Sequence, residues 1–232
     1  MGLAHSPQII TDGLVLALDA ANTKSYPSSG GSTWYDVSGK GNNGTISGAT
    51  HTSGVGGYFN YDGTNDKVEC ASNSNFAFGT GDFAIEIWWR SDKSSQTALT
   101  GLLSISSPAA SSNWQLGPGY QTDNTKIVFS GGGHTSAPVI TDPTSYSKAV
   151  WTNTVVTRIS STLKMYTDSV NVVSTSDSSN YSDTGVLKIG VNRGLNYYWD
   201  GRISVVRLYK GKGLTAAEVK QNFNALRGRY GV

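Results

Sequence analysis

The chain has 232 residues, 37% hydrophobic, 15% charged and 10% aromatic, with a formal charge of +2. That length suits one large all-β domain with a substantial core. The aromatic content excludes disorder, no apolar run reaches the roughly 18 residues of a membrane span, and a single cysteine, Cys70, excludes an internal disulfide. So few charges in a Ser- and Thr-rich chain argue against long solvated helices.

In chain order, residues 1–12 read as an N-terminal arm. The opening Met1-Gly2-Leu3-Ala4-His5-Ser6-Pro7 lacks the basic start and apolar stretch of a secretory leader, so the chain is expected to begin at its mature start. Leu14 to Leu18 is a continuous apolar run ending at Asp19. Phe83 to Arg90 alternates with period two, so Phe83, Ile85, Ile87 and Trp89 share one face and Ala84, Glu86, Trp88 and Arg90 the other. The first face is expected in the core and the second is expected to be open. Further strands read at Lys126–Phe129, Thr154–Ile159, Leu163–Thr167, Val186–Gly190 and Ile203–Tyr209, while the Ser-rich stretches 104–112 and 174–182 read as surface loops. Short strands at this spacing, without intervening helices, describe a sandwich rather than βαβ units. One helix is predicted: Thr215-Ala216-Ala217-Glu218 is a capping box, Ala216, Val219, Phe223 and Leu226 follow at helical spacing, and Gly228 can stop it. No linker divides the chain, so residues 1–232 form one domain closed by a C-terminal helix and basic tail over 214–232.

Gly39-Lys40-Gly41-Asn42-Asn43-Gly44 matches the dinucleotide fingerprint by letter, but no buried strand precedes it and no helix follows. Asn43-Gly44 reads instead as a hairpin turn. Glycoside hydrolysis needs two carboxyl groups about 5 to 9.5 Å apart, and the only glutamates are Glu69, Glu86 and Glu218, on separate elements. The three histidines, His5, His51 and His134, lie in unrelated contexts, and no nucleophile elbow is present. No catalytic residue is assigned. No cofactor is required, although calcium fits loop Asp and Asn ligands, best at Asp62, Asn65 and Asp66, with Asp19 and Asn22 second.

The net charge hides an asymmetry. From Gly201 onward Arg202, Arg207, Lys210, Lys212, Lys220, Arg227 and Arg229 face Glu218 alone, so the tail carries +6 and the remainder −4. Arg202, Arg207, Lys210, Lys212, Arg227, Arg229 and Tyr230 are therefore candidates for docking on an acidic protein surface. The basic residues match no nucleic-acid reading motif, so neither nucleic acid nor a membrane is an expected partner. Trp34, Tyr35, Tyr58, Trp114, Tyr120, Tyr197, Tyr198 and Trp199 sit in polar or Gly-rich surroundings, and planar rings beside amides and hydroxyls suit sugar faces as well as protein interfaces. Glu86, Trp88 and Arg90 on one strand face, and Tyr197, Tyr198 and Trp199 in one loop, are the candidate glycan-binding residues.

Taken together, Gly13 to Asp19, Trp34-Tyr35-Asp36-Val37-Ser38-Gly39 to Thr45, Tyr61-Asp62-Gly63-Thr64-Asn65-Asp66 and Phe83 to Trp88 resemble successive signatures of concanavalin A-like, laminin-G-like jelly-roll domains. Trp151 to Arg158, Leu163 to Asp168, Leu187 to Gly190 and Asp200 to Tyr209 with Leu214 to Glu218 continue the likeness in order. The resemblance implies a jelly-roll sandwich of two antiparallel sheets. His5-Ser6-Pro7 with Thr11-Asp12-Gly13, and the ending Gln221 to Gly231, resemble stand-alone versions among tailed-phage structural proteins. That likeness implies a non-enzymatic protein on the phage particle surface, decorating a capsid or forming part of a fibre. Its partners would be other virion proteins, further copies of itself and a cell-surface glycan. A free-standing carbohydrate-binding lectin module is the alternative, and a glycoside hydrolase a remote one. The glucanase branch carries alternating acids on one strand, which this chain lacks. Ser204 and Val205 stand where many relatives have two acids, and Ser169 replaces the usual Gly after Asp168.

Overall fold

The computed structural model describes residues 8–106, 112–119, 123–131 and 139–232; His5 and His134, like Tyr120, lie outside them. In chain order the strands are β1 (Leu14–Asp19), β2 (Thr33–Trp34), β3 (Gly44–Ser47), β4 (Thr50–Thr52), β5 (Tyr58–Asp62), β6 (Lys67–Cys70), β7 (Phe83–Ser91) and β8 (Leu103–Ser106). They continue as β9 (Trp114–Pro118), β10 (Ile127–Gly131), β11 (Ile140–Thr141), β12 (Trp151–Ile159), β13 (Thr162–Thr167), β14 (Val170–Ser176), β15 (Val186–Ile189) and β16 (Asp200–Lys210). One helix, α1, spans Ala216–Leu226. The first sheet runs β14-β13-β12-β7-β16-β5-β4, with β1 also on β16, and the second runs β11-β10-β9-β8-β15-β6-β3-β2. The protein is a two-sheet antiparallel jelly-roll sandwich with one short C-terminal helix.

The expected strands are present, and two expected loops are partly strand. Residues 104–106 belong to β8 and 174–176 to β14. Serine runs are weak strand signals, and cross-strand pairing with β15 and β13 overrides them. Asn43-Gly44 is not a two-residue turn: Gly44 starts β3 opposite Trp34. The connection is organised by Asp36, whose carboxylate accepts the backbone N–H groups of Ala17, Ser38 and Asn42 at 2.9 Å.

The alternation along β7 holds. Phe83, Ile85, Ile87 and Trp89 enter the main core together with Val68, Leu103, Leu116, Phe129 and Leu187 of the second sheet. Burying each such side chain contributes roughly 1.5–3 kcal/mol. The opposite face of β7, expected to be open, is closed by the C-terminal helix. Trp88 is 0% exposed and lies between Phe223, 5.5 Å away, and Tyr230, 4.3 Å away, both stacked on it. The capping box forms as the sequence predicts, with Thr215 and Glu218 bonded to each other's backbone. Helix α1 ends at Leu226 rather than Gly228 and passes into a 3-10 turn over Arg227–Arg229, which brings Tyr230 back over Trp88.

Between the sheets at one end, Arg158 is 1% exposed and ion-paired to Asp177 at 3.0 Å. Its remaining donors reach the carbonyls of Gly79, Gly81 and Ser179, and its guanidinium sits 5.0 Å from the ring centres of both Phe83 and Tyr181. Arg158→Ala leaves Asp177 as a buried uncompensated charge, and the expected loss is about 3–5 kcal/mol. Urea unfolding measures it; a loss below about 1 kcal/mol, the scale of an exposed pair, would overturn this account. Burial also pushes the Cys70 thiol up to about 12, so almost no thiolate exists at pH 8. In the native protein Cys70 should resist alkylation by iodoacetamide at that pH and react fully once unfolded, as read by mass spectrometry.

Candidate functional site

The second sheet has an outer face that no helix covers among the described residues. Val68, Leu187, Leu103, Leu116 and Phe129 turn inward, so their strand neighbours turn outward. Register then lines up Thr45, Glu69, Lys188, Ser104, Gln115 and Ser130 as successive cross-strand partners over β3, β6, β15, β8, β9 and β10. The result is a polar row across six strands.

Two loops lie on this row and shape it. The segment Val191 to Tyr198 is closed by a bridge between those two residues and is held by Asn192, whose Oδ1 accepts the N–H groups of Asn196 at 3.0 Å and Tyr197 at 3.2 Å. It crosses the sheet at β8 and β15, where Ser104 donates to the Val191 carbonyl at 3.0 Å and Lys188 Nζ to the Arg193 carbonyl at 2.7 Å. Gly190 makes this entry possible. Its φ is +80°, and a Cβ there would run into the ring of Tyr61. The second loop brings in Leu99, whose carbonyl accepts from Gln115 Nε2 at 3.0 Å. Leu99 and Leu195 both hold left-handed backbone, φ 66° and 57°, a costly conformation that surrounding contacts must maintain.

The space left beside these loops is a cleft of about 250 Å³ lined by Leu99, Gln115, Ser130, Asn192, Arg193, Gly194, Asn196 and Tyr197. Its composition is amides, a hydroxyl, one cation and one exposed ring. No carboxylate lines it, so the paired acids of glycoside hydrolysis are missing there. All three glutamates are engaged elsewhere: Glu69 with Lys67 at 2.8 Å, Glu86 with Arg207 at 3.1 Å, and Glu218 with Lys212 at 2.7 Å.

The structure separates the residues singled out in the sequence. Tyr197, 36% exposed, stands at the cleft with half-buried Tyr198 beside it. Trp199 turns into the core, 5.4 Å from Trp89, so it offers no face to a ligand. Trp34 and Trp114 are likewise core residues, whereas Tyr35 is exposed. Glu86 and Trp88 are sealed under α1, which corrects the expectation of an open face; only Arg90, on the same side, reaches solvent. Among the docking candidates, Arg207 is buried against Glu86 and Tyr230 is buried with its hydroxyl 2.7 Å from Ser204. Arg229 holds both oxygens of Asp19 at 2.8–2.9 Å, Lys210 donates to the Ser74 carbonyl and Lys212 pairs with Glu218. Arg202 is half-buried and Arg227 exposed. The +6 tail is therefore largely engaged in bonds to its own fold, with Arg207 alone buried, rather than presented as one free cationic surface.

The suggested calcium ligands do not form a cage. Asp62 Oδ1 accepts the N–H groups of Thr64 and Asn65, and Asp66 Oδ2 accepts that of Asp62. These carboxylates tie the turn that carries the chain from the first sheet to the second. No group of three or more His, Cys, Asp or Glu able to hold a metal occurs among the described residues.

Two packed antiparallel sheets with an open polar face define a lectin-type jelly roll. The chain belongs to the Concanavalin A-like lectin/glucanases superfamily, whose laminin G-type model matches residues 62–220. No curated protein matches the chain. Among solved structures, the binding domain of Paraclostridial Mosquitocidal Protein 1 aligns with TM-score 0.70 and 16% identity over 93% of this chain and 52% of that one. Domain 4 of AbnA, an extracellular arabinanase of Geobacillus stearothermophilus in complex with arabinotriose, aligns with TM-score 0.69 and 15% identity over 90% and 97%. A mutant of Trypanosoma rangeli sialidase displaying trans-sialidase activity aligns with TM-score 0.67 and 19% identity over 97% of this chain and 34% of that one. The chain thus spans about half of the toxin binding domain and a third of the sialidase, and the likeness at these identities shows the fold.

Removing the Asn192 side chain tests how the cleft wall is built. In Asn192→Ala, amide hydrogen exchange of Asn196 and Tyr197 should accelerate at least about tenfold, the equivalent of one hydrogen bond, while Val155 and Leu187 keep their protection. Unchanged exchange at Asn196 would refute the role given to Asn192.

Proposed function

We propose that this protein is a non-enzymatic carbohydrate-binding protein whose cleft at Tyr197, on the outer face of the second sheet, takes a sugar. The observation that carries this reading is the composition of the cleft: an exposed aromatic ring together with the amides of Gln115, Asn192 and Asn196, with no carboxylate. A ring stacks on the apolar face of a pyranose while amides and a hydroxyl bond its hydroxyl groups. The sugar-bound state of the arabinanase domain and the toxin binding domain among the structural neighbours support binding over cleavage. A second, finer part of the proposal is the setting, the surface of a phage particle. It rests on the likeness of the chain's ends to tailed-phage structural proteins. Within the basic tail, exposed Arg227 and Lys220 are the cations offered to a neighbouring virion protein.

A glycan array should return a defined set of ligands for the intact protein. Tyr197→Ala should then weaken the best of them at least about tenfold, the worth of roughly 1.4 kcal/mol, without changing the melting temperature. An array with no hits, or a Tyr197→Ala protein that binds as before, would overturn the cleft as a sugar site. Mass spectrometry of purified particles tests the setting separately, and absence of the chain from them would refute it.

A further inference from the structure

Helix α1 and the turn after it close only part of the outer face of the first sheet. Beyond Tyr230, register places Trp151, Arg90, Arg202 and Asn60 side by side on β12, β7, β16 and β5. Two arginines are thus direct cross-strand partners, an arrangement in which like charges repel. The carboxylate between them is Asp92, 3.3 Å from Arg90 Nη2 and 3.6 Å from Arg202 Nε. Asp200, the next acid along, is held by Lys93 at 2.9 Å. One carboxylate leaves the pair with an excess positive charge, and the Nε atoms of both arginines are buried without a hydrogen-bond partner.

Both side chains still reach solvent, at 23% and 26% exposure. Arg202 lies 4.7 Å over the ring of Tyr58, and Tyr58 lies 5.7 Å from Trp151. Two planar guanidinium forks therefore stand beside two half-buried aromatic rings. Asn60 and Thr52, bonded to each other at 3.1 Å, extend this patch with an amide and a hydroxyl. Guanidinium forks match sulfate and carboxylate oxygens two at a time, and the two rings, inclined at 59° to each other, supply apolar surface for what carries the anion.

We propose that Arg90 and Arg202 form an oxyanion site for the sulfate or carboxylate group of an acidic polysaccharide, whose adjoining sugar ring rests on Tyr58 and Trp151. The site is on the opposite outer face of the sandwich from the Tyr197 cleft, so it stands or falls apart from that reading. A second anion between the arginines removes the cross-strand repulsion that Asp92 alone cannot neutralise. The rings and the Asn60–Thr52 pair favour a saccharide carrier over a bare ion.

The test titrates the full chain with dextran sulfate, with uncharged dextran as its control and polygalacturonate as the carboxylate probe. Arg90→Gln and Arg202→Gln should each weaken dextran sulfate binding at least about tenfold, the loss of one charge-assisted bidentate contact. Arg227→Gln, an exposed cation elsewhere, should change it less than about twofold. Loss for polygalacturonate in the same two variants assigns carboxylate as well as sulfate to the site; loss for dextran sulfate alone assigns sulfate. In the unsubstituted protein, the Nε–Hε NMR signals of Arg90 and Arg202 should shift on adding dextran sulfate while that of Arg227 stays in place, a readout that needs no variant to fold. Equal loss in all three variants means bulk charge attraction and overturns the site. So does unshifted Nε–Hε signal from Arg90 and Arg202, or binding of phosphatidylglycerol vesicles through these residues when neither polysaccharide binds.

Discussion

The buried contact between Glu86 and Arg207 governs how this sandwich is finished. The two are cross-strand partners on β7 and β16, their side chains 3.1 Å apart and almost wholly buried. A lone buried charge is untenable, so each requires the other. Burial pulls the Arg207 guanidinium down, but Glu86, with Tyr209 and Asp19 nearby, more than offsets it and holds the guanidinium above its ordinary range. The second oxygen of Glu86 accepts from Asn222 Nδ2 at 2.8 Å, and Asn222 Oδ1 in turn accepts the N–H of Ile10 at 2.8 Å. One side chain of α1 thus clips the helix to the sheet and the segment before β1 to the helix. Around this polar centre Val219, Phe223 and Leu226 bury their side chains.

That pair is on the helix side of the sheet because of a single extra residue in β16. Ile203 faces Trp89 and Val205 faces Trp88, so Ser204 is unpaired in the ladder. A bulge shifts the alternation by one. Ile203 points into the main core and so do Val206 and Leu208, while Val205 and Tyr209 point outward with Arg207. Without the bulge, Arg207 would enter the apolar core. Ser204 is itself used, donating to the Gly57 carbonyl and bonding the Tyr230 hydroxyl, which fixes the end of the C-terminal cap.

The two faces of the sandwich therefore have different characters. The first sheet spends its outer surface on an aromatic run, Phe223 and Tyr230 on Trp88, then Trp151 and Tyr58, that ends at an arginine pair. The second sheet keeps a polar outer row, roofed at its middle by the Asn192 loop. Its cleft is set by loops under local strain on a rigid sheet, the usual division between recognition and scaffold.

Much of this was legible in the sequence by itself. The alternation of β7 named its inward face, the capping box placed the start of α1 to the residue, and the succession of turn and strand signatures defined the jelly roll, because these signals are local and obey the period of one element. The aromatic loop at Tyr197 was also visible, as a ring among glycine and asparagine. What the sequence left open was everything decided by partners distant along the chain. Whether the Glu86 face met solvent or a helix depended on a segment more than a hundred residues later. Asn222, a polar residue in a helical stripe that reads as apolar around it, gave no sign that it would be the clip. The basic tail looked like a surface because charge is counted residue by residue, whereas burial is decided by whether a countercharge such as Glu86 or Asp19 waits in the folded sheet. Ser204 carried no mark of a bulge, and only the strands on either side of it could force one.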